Sequence, residues 1–100
     1  MARSKKYDDE LLEALRDHEE AVAYLNAALE ESMLGDEESQ EVLLMALRSV
    51  AEAQGGVAKL AKNAHVGRES LYKTLSANGN PEFRTLATLI RAMGLRLQFV

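Results

Sequence analysis

A chain of 100 residues, 47% of them hydrophobic, can bury one modest core, so it is read as one domain with at most an appended arm. It holds no cysteine, which excludes a disulfide framework and any thiolate metal site, and no run of about eighteen unbroken apolar residues, which excludes a membrane-spanning helix. The net charge of −4 looks unfavourable for a nucleic-acid binder until the chain is divided: residues 1–54 carry five Lys and Arg against fourteen Asp and Glu (net −9), and residues 55–100 carry seven against two (net +5).

The start, MARSKKYDDE, has charge with no apolar h-region behind it, so a cytoplasmic, unexported chain is expected. Met1 to Tyr7 reads as a polar leader and is assigned no element. Asp8 and Asp9 precede Leu11, Leu12 and Leu15, a helical turn or two with acids at the dipole-favoured end. Asp17, followed three residues later by Glu20, has the spacing of an N-cap and its reciprocal partner, and Val22, Leu25, Ala28 and Leu29 carry a helix on to Met33. Gly35 stops it. Asp36 can cap the next helix, whose first turn holds Glu37 and Glu38 and whose apolar stripe is Val42, Leu43, Ala46, Leu47 and Val50. Gly55-Gly56 ends that helix near Gln54. The organisation expected is an N-terminal helical extension over residues 1–36 and a second unit over residues 37–100.

From Gly56 to Ser76 two short helical patterns meet at a turn. Leu60, Ala61 and Ala64 form the inner face of the first, Leu71 and Leu75 that of the second, with Val66 between them as a plug. Ala61 must be small where the second helix crosses, and Leu71, ten residues later, fills the angle. That spacing predicts a helix-turn-helix, and the residues left outward at the start of its second helix are Arg68, Glu69, Tyr72 and Lys73, with Ser76 one turn on. His65 closes the first helix, where a left-handed conformation is usual and glycine adopts it with least strain. Without the basic surroundings, the same apolar pattern would fit a plain pair of packed helices.

Ala77-Asn78-Gly79-Asn80-Pro81 holds the strongest turn signals in the chain and must end the second helix. Phe83, Leu86, Leu89, Ile90 and Met93 make the inward face of a last helix, which Gly94 is placed to cap. Leu95-Arg96-Leu97-Gln98-Phe99-Val100 then switches to a period of two, with Leu95, Leu97 and Phe99 on one side. It reads as a strand without a partner in its own chain, so it pairs either with its copy across a two-fold axis or with a sheet in another protein.

Chemistry assigns the outward residues different tasks. Arg68 suits a bidentate contact to guanine; Glu69 either accepts from a cytosine amino group or pairs with Arg68 or Lys73 on its own helix; Tyr72 meets a thymine methyl or a phosphate. Lys59, Lys62, Lys73 and Arg84, with Asn78 and Asn80 in the loop, suit phosphates. One reading helix covers only a few base pairs, so a homodimer on a palindromic operator is expected, held by the last helix and the terminal strand.

The segments GVAKLAKNA, RESLYKTLS, GNP and RTLATLIRAMGLRL, in that order and spacing, resemble the addiction-module antidote proteins, HigA-type antitoxins with a lambda-repressor-like DNA-binding domain. The resemblance runs from about Asp17 to Leu97. It implies a lambda-repressor-like helix-turn-helix domain, and with the elements read above the expected fold is an all-α bundle with an N-terminal helical extension and a short C-terminal β-strand. It also implies an antitoxin that neutralises a RelE-superfamily toxin and represses its own operon, with Arg68, Glu69, Tyr72 and Lys73 on the reading helix. His65 departs from the family's usual glycine. The acidic helices, Asp17 to Met33 and Glu37 to Gln54, are the surface expected to face a basic toxin.

Three other classes compete. A prophage-type regulator without a toxin partner would need the same reading helix and dimer. A protein-interaction module would show no salt-sensitive DNA binding. An enzyme finds little support, because His18 and His65 have no ligand-spaced or nucleophilic partner nearby; no catalysis, metal or cofactor is expected.

Overall fold

Apolar residues recurring every three or four positions give six α-helices in the computed structural model, which describes residues 5–32, 37–76 and 81–95. These are α1 Lys5–Ala14, α2 His18–Ser32, α3 Glu37–Ala53, α4 Val57–Ala64, α5 Arg68–Thr74 and α6 Phe83–Ala92. No strand occurs among the described residues. The period-two stretch beyond Leu95, with Leu97 and Phe99, lies outside them, as do Gly35, Asp36, Asn78 and Asn80 and the side chain of Phe83.

α1 starts at Lys5, earlier than the acids at positions 8 and 9 predict. Residues 5–14 contain neither Gly nor Pro, so nothing in them opposes the helix once burial of Leu15 and partial burial of Leu11 hold its far end. α2 begins with the Asp17 half of the expected cap; the reciprocal bond to Glu20 is replaced by one from the Asp17 N–H to the Ala14 carbonyl at 3.2 Å. The Asp17 carboxylate accepts the Glu19 N–H at 3.1 Å, and the Asp17 carbonyl accepts the Ala21 N–H at 2.9 Å.

α3 is the central element, touching α1, α2 and α4. Leu43, Leu44, Ala46, Leu47, Val50 and Ala51 on it are buried in one cluster with Leu15, Leu25 and Ala28 on one side and Val57, Leu60, Leu71 and Leu89 on the other. The acidic helices and the basic ones therefore share a core. A radius of gyration of 12.7 Å agrees with the ≈ 13 Å of a folded 100-residue domain, so the first helices pack onto the rest. A side chain reinforces that join. Gln54, at the end of α3, donates from Nε2 to the carbonyls of Leu15 at 2.6 Å and Arg16 at 3.1 Å, acceptors left open where α1 ends.

The α3–α4 corner is built on Gly55 and Gly56, at φ 121° and 98°. Both conformations strain any residue with a Cβ, so two glycines stand where the chain reverses between packed helices. At the other end Gly94, at φ 75°, closes α6 as expected. The Leu95 N–H then reaches the Ile90 carbonyl at 3.3 Å, and the Leu95 side chain folds back into the core, 7% exposed.

Candidate nucleic-acid interface

α4 and α5 are joined by His65, Val66 and Gly67. His65 takes the left-handed conformation at φ 58°, ψ 42°, the strain its position predicts. Its N–H is donated to the Lys62 carbonyl at 3.3 Å and the Val66 N–H to the Ala61 carbonyl at 3.0 Å, the paired bonds of a Schellman turn. The strain is removable. His65→Gly is expected to stabilise the fold by about 1 kcal/mol, raising the thermal midpoint by roughly 4–8 °C in a calorimetric scan. An unchanged midpoint would mean that the His65 side chain offsets the strain.

One expectation fails at this turn. Val66 is 42% exposed and does not plug the angle between the helices. Its backbone fastens the turn while its side chain faces water, and the angle is filled by Val57, Leu60 and Ala61 from α4 against Leu71 and Leu75. Val57 carries the role assigned to Val66. Its apolar character one turn before Leu60 and Ala61 was the available signal.

With Leu71 and Leu75 pointing inward, the 3.6-residue period puts Glu69 and Lys73 on the far side of α5 and Tyr72 on its flank, while Arg68 is open to solvent as the first residue of the helix; all four are exposed. Ser76 is half-buried, and its hydroxyl donates to the Lys73 carbonyl at 2.7 Å, which leaves it only lone pairs to offer a base. Lys59 and Lys62 stand exposed on α4 and Arg84 on α6. Leu95, expected at an interface, lies in the chain's own core.

The sequence offered no role for Arg48 of α3. Its guanidinium carbon lies 6.0 Å from the Tyr72 ring centroid, and its Nε lies 3.6 Å from Glu52 Oε1. It is the one Lys or Arg between Arg16 and Lys59, and an isolated cation in so acidic a stretch was a usable signal. Elsewhere, the cleft among His18, Gln54, Lys59, Asn63 and Met93 holds about 140 Å³, below the ≈ 300 Å³ at which small-molecule sites begin. Among the described residues no three His, Asp or Glu side chains are grouped to hold a metal, and no helix is long and apolar enough to cross a membrane.

What this surface offers is a short helix with four polar or aromatic side chains outward and cations on its neighbours, a form that fits a groove lined by phosphates. A family model described as "Probable addiction module antidote protein" matches residues 5–100. An uncharacterised protein of Haemophilus influenzae is 36% identical over 91 residues, which is 91% of this chain and 87% of that relative. No solved structure matches the chain. The match extends over all six helices, acidic and basic alike, and the chain belongs to the family of probable addiction module antidote proteins.

Proposed function

We propose that this antidote is a cytoplasmic DNA-binding antitoxin that neutralises a RelE-superfamily toxin and represses its own operon through a lambda-repressor-like helix-turn-helix, α4–turn–α5. One observation carries the proposal: the outward face of α5 concentrates Arg68, Glu69, Tyr72 and Lys73 in the basic half of the chain, while its inward face is committed to the core. In this reading Arg68 and Glu69 contact base edges, and Lys59, Lys62 and Arg84 hold phosphates. Two copies about 34–36 Å apart would address a palindromic operator. No catalytic or cofactor chemistry enters the proposal.

Antidote identity favours a toxin partner over a prophage-type regulator acting alone. The α1–α3 side has the chemistry to meet a basic partner. A groove of about 350 Å³ there is lined by Leu11, Leu12 and Met45 and edged by Asp8 and Glu52, with Arg48 and Ser49 at the same edge and Tyr7 and Val42 also exposed. Apolar contact beside the carboxylates of Asp8 and Glu52, on helices that are acidic in sum, suits a protein whose own surface must attract RNA.

The test is a fluorescence-anisotropy titration of the protein on its own upstream DNA and on a scrambled duplex. Wild type should prefer its upstream DNA. Arg68→Ala should weaken that complex by about 1–3 kcal/mol per guanine contact, roughly 5- to 150-fold, with little change on scrambled DNA. Equal affinity of wild type for both duplexes would refute operator recognition.

A further inference from the structure

We infer that Arg48, on α3, is a phosphate-contacting residue of the DNA-binding surface, held beside the reading helix by the ring of Tyr72. The inference rests on the DNA-binding reading of α5 and adds a third helix to it.

Geometry places the cation. A major groove is about 12 Å wide, and an α-helix with its side chains is about 10–12 Å across, so a helix seated in the groove fills it and the sugar-phosphate walls begin at its flanks. Tyr72 lies on the outward face of α5 and is 44% exposed. The Arg48 guanidinium stands 6.0 Å from its ring centroid and reaches it from a different helix. A group displaced by that distance from an outward side chain meets the wall of the groove, where phosphates are the nearest groups. The base edges lie deeper and are left to α5 itself.

Chemistry agrees with the placement. A guanidinium is always charged, presents a fork that matches a phosphate, and stacks on an aromatic face without giving up its outer N–H groups. The ring, at the ≈ 6 Å limit of a cation–π contact, therefore biases Arg48 towards α5 and leaves its donors open. The competing anion is Glu52, one turn on, at 3.6 Å with both side chains about half exposed. Such a pair is weak and solvent-screened, so a phosphate can displace the carboxylate. Glu52 then acts as a mild brake on DNA binding.

The experiment measures affinity against salt for the intact protein on its upstream DNA and on the scrambled duplex, with wild type, Arg48→Gln, Arg48→Lys, Glu52→Gln and Arg68→Ala in parallel. Arg48→Gln keeps the stem and removes the charge. It should weaken both duplexes by the same factor and flatten the slope of log affinity against log salt by about 0.9 per protomer, while Arg48→Lys keeps the slope. Glu52→Gln should bind both duplexes more tightly at low salt. If Arg48→Gln leaves the slope unchanged while Arg68→Ala abolishes operator preference, the assignment of Arg48 is overturned and the reading helix stands. A loss confined to the operator, without a change of slope, overturns it equally, since that marks an effect transmitted through Tyr72. If wild type shows neither operator preference nor salt dependence, the DNA-binding reading falls and Arg48 with it.

Discussion

Leu71→Ala is expected to lower the unfolding free energy by about 2–5 kcal/mol, a large part of the ≈ 5–15 kcal/mol that holds a domain of this kind together. Leu71 is 2% exposed and sits at the middle of α5, a helix of seven residues. A helix so short has almost no stability of its own, because nucleation costs more than two turns of hydrogen bonds return. It is held by the two apolar side chains it sends into the core, Leu71 and Leu75. Removing one leaves a cavity under a helix with little other anchorage. The urea midpoint should fall while the slope of unfolding free energy against urea stays constant, as for a change in packing that leaves the exposed area alone. DNA binding should fail with the fold at 37 °C. Val66→Ala, also an aliphatic truncation in this region, should cost less than about 0.5 kcal/mol, since Val66 is 42% exposed. A Leu71→Ala cost below about 1 kcal/mol would mean that α5 is not seated on α4 as described.

That contrast marks how far the sequence could be read. The helices from residue 17 to Gln54, the α4–turn–α5 pair and the last helix were all legible, because each carries an apolar stripe at helical spacing closed by Gly or by a capping acid. The left-handed strain at His65 was legible too, since a turn there constrains the backbone before any packing is known. What escaped depends on three dimensions. Val57 and Val66 are both valines flanking the same motif; helical spacing to Leu60 and Ala61 puts the first in the core, whereas the exposure of the second depends on the direction in which the left-handed turn throws the chain. α1 was undercounted because Lys5 to Tyr7 has no periodicity, and helix propagation from a buried end requires none. Leu95 alternates with Leu97 and Phe99 as a strand would, yet the turn at Gly94 sends it into the core first. Arg48 joins the candidate surface across 24 residues of sequence from Tyr72, a juxtaposition that no local pattern announces.

Salt should act on this protein more strongly than any single substitution. Lys59, Lys62 and Arg84 are exposed on α4 and α6, and in the homodimer proposed above they would supply six phosphate-contacting cations, to which Arg48 adds two. Each would displace counterions from DNA, so log affinity should fall against log salt with a slope of about −7, and raising salt from about 50 to 200 mM should weaken the complex roughly 10⁴-fold. A monomer with four such contacts would lose only about 150-fold over the same range. The slope therefore reports stoichiometry as well as charge. A titration at several salt concentrations, with the mass of the complex measured by light scattering, separates the cases. The acidic half sharpens the expectation, because net −9 over residues 1–54 repels DNA at long range, while the cations of α4, α5 and α6, with Arg48 beside them, attract it. Binding should thus be oriented even on non-specific DNA, with α1 and α2 held away from the duplex and open to a second protein. An affinity that varies less than about tenfold across this salt range would leave the basic half without phosphate contacts and remove the electrostatic basis for reading α5 as the DNA-contacting helix.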